Sequence, residues 1–126
     1  MQNEEMGYGM KDSVILDKTM DFSVRIVNLY KYLNSEKKEY VLSRQLLRCG
    51  TSIGANAHEA HNGQSKKDFI AKMYIALKEA SEAEYWLILL TKTCYLTSDQ
   101  SESLLSDCIE IKKILTSIIR TAKSSP

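Results

Sequence analysis

Proline is almost missing from this sequence: there is one in 126 residues, and it is the last, Pro126. Glycine is nearly as scarce, with five. Proline removes a backbone donor and clashes with the preceding turn, and each glycine costs a helix about 1 kcal/mol, so their scarcity leaves little to interrupt helices. Long hydrophobic runs are absent as well. The longest unbroken one is Tyr85 to Leu90, far short of the roughly 20 residues that cross a bilayer. Residues 1 to 11 carry neither the basic segment nor the apolar segment of a secretory leader, which makes a cytoplasmic location the expectation. Charge of one sign is not in excess: 17 basic against 16 acidic side chains give a net +1. The basic surplus of a strong nucleic-acid binder is therefore lacking, although a local patch remains open. The three cysteines are an odd number with no CxxC pair among them. Cys49, Cys94 and Cys108 all fall among apolar helical positions and are expected to be reduced core thiols.

What the sequence has is helical periodicity. From Ser65 to Leu96, the residues Phe69, Met73, Ala76, Ala80, Ala83, Leu87, Leu90 and Cys94 succeed one another at alternating spacings of 4 and 3. That is the seam of a helix of about eight turns packed along its whole length. Ile15, Thr19, Phe22, Ile26, Leu29 and Leu33 repeat the pattern, as do Leu42, Leu46, Cys49, Ile53, Asn56 and Ala60, and finally Leu104, Cys108, Ile111, Leu115, Ile118 and Ala122. Short polar connections separate the four segments. Gly63 suits a left-handed helix end, Ser65 backed by Asp68 suits an N-cap, and Thr97 with Gln100 forms a capping box. Asp12 or Ser13 could cap the first helix.

The reading is all-α: a loose tail over residues 1–11, then one bundle over 12–123, with helices at about 13–34, 42–62, 65–95 and 98–123. Short connections make sequential helices antiparallel, an up-down-up-down four-helix bundle. Such a bundle uses one apolar stripe per helix. Leu16, Met20 and Val27 on the first helix, Ile75, Tyr85, Trp86 and Leu89 on the third, and Ile109 and Ile114 on the fourth lie off the stripes. They predict a second, oligomeric interface, with scattered surface apolar residues as the plainer alternative.

Polar groups gather on the second helix. Ser52, Asn56 and Glu59, flanked by Arg48, are expected to hydrogen-bond with Tyr74, Lys78, Glu79 or Ser81 on the third, since buried polar groups need partners. On the other flank, Gly50, Gly54 and Ala57 form a stripe of small residues that asks for a close neighbour. His58 and His61 are spaced i and i+3, not the i and i+4 of a zinc-protease helix, and no Glu-x-x-His pair of a di-iron bundle occurs, so no metal or cofactor is expected. Nor does an arginine precede either histidine at the spacing of helical ribonucleases. Lys37, Lys38, Arg44 and Arg48 around the start of the second helix, with Lys66 and Lys67 opening the third, are the candidate phosphate or RNA contacts.

The pieces Arg44-Gln45-Leu46, Ser52-Ile53, Asn56-Ala57-x-Glu59, Ser65-Lys66-Lys67-x-Phe69-Ile70 and Tyr74-Ile75-Ala76-Leu77, in this order and spacing, resemble a bacterial family. Its members are small four-helix bundle proteins first noted as reading frames in intervening sequences of 23S ribosomal RNA genes. They are related to the accessory variability determinants of diversity-generating retroelements. The resemblance implies protomers of a ring-like homopentamer. For the retroelement relatives it implies binding of a reverse transcriptase and RNA through a basic surface. The expected function is a non-enzymatic homo-oligomeric scaffold or adaptor for RNA or a nucleic-acid-handling protein. The alternative is a ligand-binding or enzymatic bundle built on Asn56 and Glu59.

Overall fold

A computed structural model describes residues 9–126, with side chains described from Val14 onward. Among the described residues there are four helices and no strand: α1 (Gly9–Ser35), α2 (Leu42–Ala60), α3 (Lys66–Lys92) and α4 (Ser98–Ser124). α1 and α3 each pack against both α2 and α4, so the four helices stand at the corners of a square with α1 diagonal to α3. This is the expected antiparallel four-helix bundle. α1 begins at Gly9, upstream of both suggested caps, so residues 9–11 of the expected tail are helical. The rest of that tail lies outside the described residues.

The core follows the seams closely. Ile15, Phe22, Ile26 and Leu33 of α1, Leu46, Cys49 and Ile53 of α2, Met73, Leu87 and Leu90 of α3, and Cys108, Ile111 and Leu115 of α4 are all buried. Thr19 is fully buried in the α1 seam at no cost in hydrogen bonding, because its hydroxyl donates to the Ile15 carbonyl at 2.8 Å. In α2 the buried face turns toward the small residues: Gly50, Gly54 and Ala57 are buried, whereas the seam residue Asn56 is only half-buried. The close neighbour is α1. A Cβ built on Gly50 would stand 2.9 Å from Ile26 Cγ2, and one on Gly54 would stand 3.3 Å from Thr19.

Helix ends show where sequence signals held and where they failed. Thr97 and Gln100 form the capping box in full, with each side chain accepting from the other residue's amide at 3.1 and 2.8 Å. Ser65 caps α3 by accepting from the Asp68 amide at 3.1 Å. Gly63, however, is not left-handed. α2 ends instead by tightening, the amides of His61, Asn62 and Gly63 reaching back three residues to His58, Glu59 and Ala60, so no left-handed residue is required.

α3 stops at Lys92, earlier than the seam suggests, and Cys94 corrects a core assignment. It is exposed with φ 70°, while Leu96 takes the buried place beyond it. The Tyr95 amide bonds to the Leu90 carbonyl at 3.0 Å and the Cys94 amide to the Thr91 carbonyl at 3.1 Å. That pair of bonds is a Schellman ending, with cysteine in the position glycine usually fills.

Candidate functional site

The α1–α2 connection holds a buried carboxylate that accepts three backbone hydrogen bonds. Glu39 is 7% exposed and follows Lys38, which holds a left-handed φ of 55°. Its carboxylate turns onto the open start of α2, accepting from the amides of Val41 at 3.1 Å, Leu42 at 2.9 Å and Ser43 at 2.7 Å. The Ser43 hydroxyl donates to the Glu39 carbonyl at 2.9 Å, and the Asn34 amide donates to that carbonyl at 3.2 Å and to Ser43 Oγ at 3.0 Å. A carboxylate at a helix N-terminus satisfies orphan amides and meets the positive end of the dipole. By its residues alone this segment is a plain polar connection. An acid three residues ahead of an apolar helix start was the available signal.

Lys37, Lys38 and Arg44 surround this knot, all exposed and without an ion pair among the described residues. Lys66 and Lys67 lie at the other end of the bundle, separated by the length of α2, about 28 Å at 1.5 Å per residue. The six expected phosphate contacts therefore do not form one patch. Lys66 is occupied, its ammonium donating to the Ser125 carbonyl.

Arg48 is neutralised. Nη2 meets Glu82 at 2.7 Å and Nη1 meets Glu79 at 3.3 Å, both on α3, and Trp86 Nε1 donates to the same Glu82 oxygen at 3.2 Å. The bonds from Arg48 and Trp86 hold the Glu82 carboxyl below its ordinary range, and the bond to Glu82 raises the Arg48 guanidinium. Of the partners expected for the polar cluster, Glu79 is thus engaged, while Glu82 and Lys72 are partners that the sequence did not point to. Glu59 pairs with Lys72 at 2.8 Å. Ser52 donates to the Arg48 carbonyl at 2.7 Å and Asn56 to the Ser52 carbonyl at 2.8 Å, so both side chains fold back onto their own helix. Tyr74 turns to α4, its hydroxyl 3.1 Å from Lys123 Nζ.

The two histidines do likewise: Nδ1 of His58 lies 2.8 Å from the Gly54 carbonyl, Nδ1 of His61 lies 2.9 Å from that of Ala57, and the His61 ring meets Phe69 edge-on at 5.7 Å. Among the described residues no group of three His, Cys, Asp or Glu side chains is placed to hold a metal ion, and no helix is long and apolar enough to cross a membrane. Burial pushes the Cys49 and Cys108 thiols up to about 12, which leaves both protonated and poor nucleophiles at neutral pH.

Off-seam apolar residues divide into two groups. Leu16, Trp86 and Ile114 lean partly into the core, and Val27 and Leu89 are also half-buried. Met20 (52%), Ile75 (39%), Tyr85 (59%) and Ile109 (42%) remain exposed, joined by Val24 (53%) and Ile88, which sequence reading leaves out. Tyr85 and Trp86 pack edge to face, centroids 5.2 Å apart.

A crystal structure at 1.70 Å of a protein of unknown function from the S23 ribosomal protein family of Bacteroides thetaiotaomicron VPI-5482 superposes with a TM-score of 0.87. It is 59% identical, over 88% of this chain and 99% of that one. No curated protein matches the chain. The model of the family described as 23S rRNA-intervening sequence protein matches residues 11–117. With the bundle and its motif positions in place, the chain belongs to the 23S rRNA-intervening sequence protein family.

Proposed function

We propose that this protein is a non-enzymatic, homo-oligomeric helical scaffold whose assembled form holds an RNA or a nucleic-acid-handling protein. The observation that carries this reading is apolar surface left over once the core is complete. Met20 and Val24 on α1, and Tyr85 and Ile88 on α3 with Ile109 on α4, are exposed. α1 and α3 occupy diagonal corners, so their solvent faces point in opposite directions. Two unlike apolar surfaces facing apart are what head-to-tail association uses, and such association closes into a ring when the rotation per subunit allows. Resemblance gives five as the expected number of subunits.

The basic end formed by Lys37, Lys38 and Arg44 supports an anionic partner, because its charges are not spent on internal ion pairs among the described residues. Against an Asn56 and Glu59 site stands the engagement of both side chains within the bundle. Light scattering coupled to gel filtration tests the assembly. A single oligomer at micromolar concentration, dispersed to monomers by Tyr85→Glu or Met20→Glu, is expected, and a monomeric wild type overturns the reading. A mobility shift with RNA that weakens as salt rises, and is lost on Lys37→Glu, Lys38→Glu and Arg44→Glu combined, tests the partner. Binding that ignores salt and charge reversal removes the basic end from the proposal.

A further inference from the structure

Where α3 and α4 meet at the end of the bundle opposite Lys37 and Lys38, the two helices leave a groove of about 410 Å³. Its apolar lining is half-buried Leu77, the exposed ring of Tyr74, and Ile119, itself only 4% exposed. Arg120, Lys123, Thr116 and Ser124 complete it, and no carboxylate lines it. Lys123 is held by a neutral group rather than an acid: its ammonium is 3.1 Å from the Tyr74 hydroxyl and 5.6 Å from the centre of that ring. Arg120 is exposed and makes no ion pair among the described residues. Further along the same helix pair Lys112 is neutralised, meeting Glu84 at 2.8 Å. Two uncompensated cations therefore face an apolar floor in a space of small-molecule size.

We infer that this groove binds a small organic anion, a phosphate or carboxylate carried on an apolar, planar body. The anion would take the fork of Arg120 and the ammonium of Lys123, the first suited to two parallel hydrogen bonds and the second a point charge already positioned by Tyr74. The body would lie over Leu77, which is half-buried, and remove its remaining apolar surface from water. A bare phosphate would leave that floor wet. A polymer backbone would have no use for it, which is why a small molecule is the occupant that fits. The inference does not depend on the scaffold reading, since the groove lies within one protomer and at the opposite end from the basic cluster assigned there.

Phenyl phosphate, inorganic phosphate and benzyl alcohol are the probes, each titrated into the full chain and followed by amide chemical shifts. Phenyl phosphate should shift residues of the groove and bind at least about tenfold tighter than either fragment alone, and Arg120→Gln with Lys123→Gln should weaken it at least about tenfold. Both substitutions are on exposed positions, and a thermal melt checks that the double variant is folded. No groove shifts up to about 10 mM phenyl phosphate, equal binding by the folded double variant, or equal binding of either fragment overturns the inference.

Discussion

Gly50 faces Ile26 so closely that a Cβ in its place would lie 2.9 Å from Ile26 Cγ2 and 3.0 Å from Cγ1. The contact is to a branched side chain fixed near its own backbone, which cannot swing aside as a long chain end could. Replacing Gly50 by alanine gains about 1 kcal/mol of helix propensity and meets an overpacking cost of about 1–3 kcal/mol. The Gly50→Ala variant should lose stability, by about 1 kcal/mol. Ile26→Ala alone should cost about 2–5 kcal/mol, and adding Gly50→Ala to it should cost nothing further or restore stability. Urea unfolding of the four proteins measures the coupling; additive effects would show that the two residues do not constrain each other.

Glu39 should hold the start of α2 in place. Its carboxylate accepts from three amides at the start of α2, and glutamine offers one carbonyl oxygen where two carboxylate oxygens now bond. Glu39→Gln is expected to destabilise by about 1 kcal/mol and Glu39→Ala by about 2–3 kcal/mol, as caps and charge-assisted bonds do. Denaturant titration gives the loss. Hydrogen exchange should place it at Val41, Leu42 and Ser43, and a uniform loss of protection would instead mean a global role.

The Glu82 carboxyl gives acid sensitivity of a definite sign. Bonds from Arg48 and Trp86 depress it in the folded state, so its stabilisation is present above the ordinary carboxylate range and is lost as the pH falls through the lowered folded value. Wild type should exceed Glu82→Gln in stability at neutral pH, with the difference closing below about pH 4. Trp86 fluorescence should change over the same range. A difference that persists unchanged into acid would remove the carboxylate as its source.

The three thiols should separate by reactivity and by alkaline response. Cys94 is exposed, whereas Cys49 and Cys108 are buried and pushed up to about 12. An aromatic disulfide reagent at neutral pH should label one thiol at once and the other two only on unfolding. Because the buried thiols keep their protons in the fold while the unfolded chain loses them from about pH 9, stability should fall with rising pH between about 9 and 12. Each contributes a slope of at most about 1.4 kcal/mol per pH unit, and Cys49→Ala should reduce it. Rapid labelling of all three thiols in the native protein would contradict the burial.

Much of this architecture is legible in the residues. Alternating 4 and 3 spacings place Phe22, Ile53, Leu87 and Ile111 in the core because an amphipathic helix has one face to bury, and Thr97 with Gln100 marks the start of α4 because a cap satisfies its own helix locally. Other features depend on a neighbour that no spacing names. The buried face of α2 turns toward Gly50 and Gly54 because α1 approaches there, leaving Asn56 at the margin. Cys94 keeps the seam's period yet leaves the core, because a period does not say where a helix stops.

The basic residues show the same division. Sequence supplies Lys37, Lys38, Arg44, Arg48, Lys66 and Lys67, and nothing in their spacing tells which share a surface. Folding sends Lys66 and Lys67 to one end and Lys37, Lys38 and Arg44 to the other, and gives Arg48 to Glu79 and Glu82. By itself, then, the sequence determined four helices, their apolar stripes and the antiparallel bundle, since these follow from local periodicity and short connections. Only the tertiary structure decided which charges are neutralised, which apolar residues stay in water, and where Arg120 and Lys123 meet an apolar floor. Those outcomes depend on side chains distant in sequence coming within a few ångströms of each other.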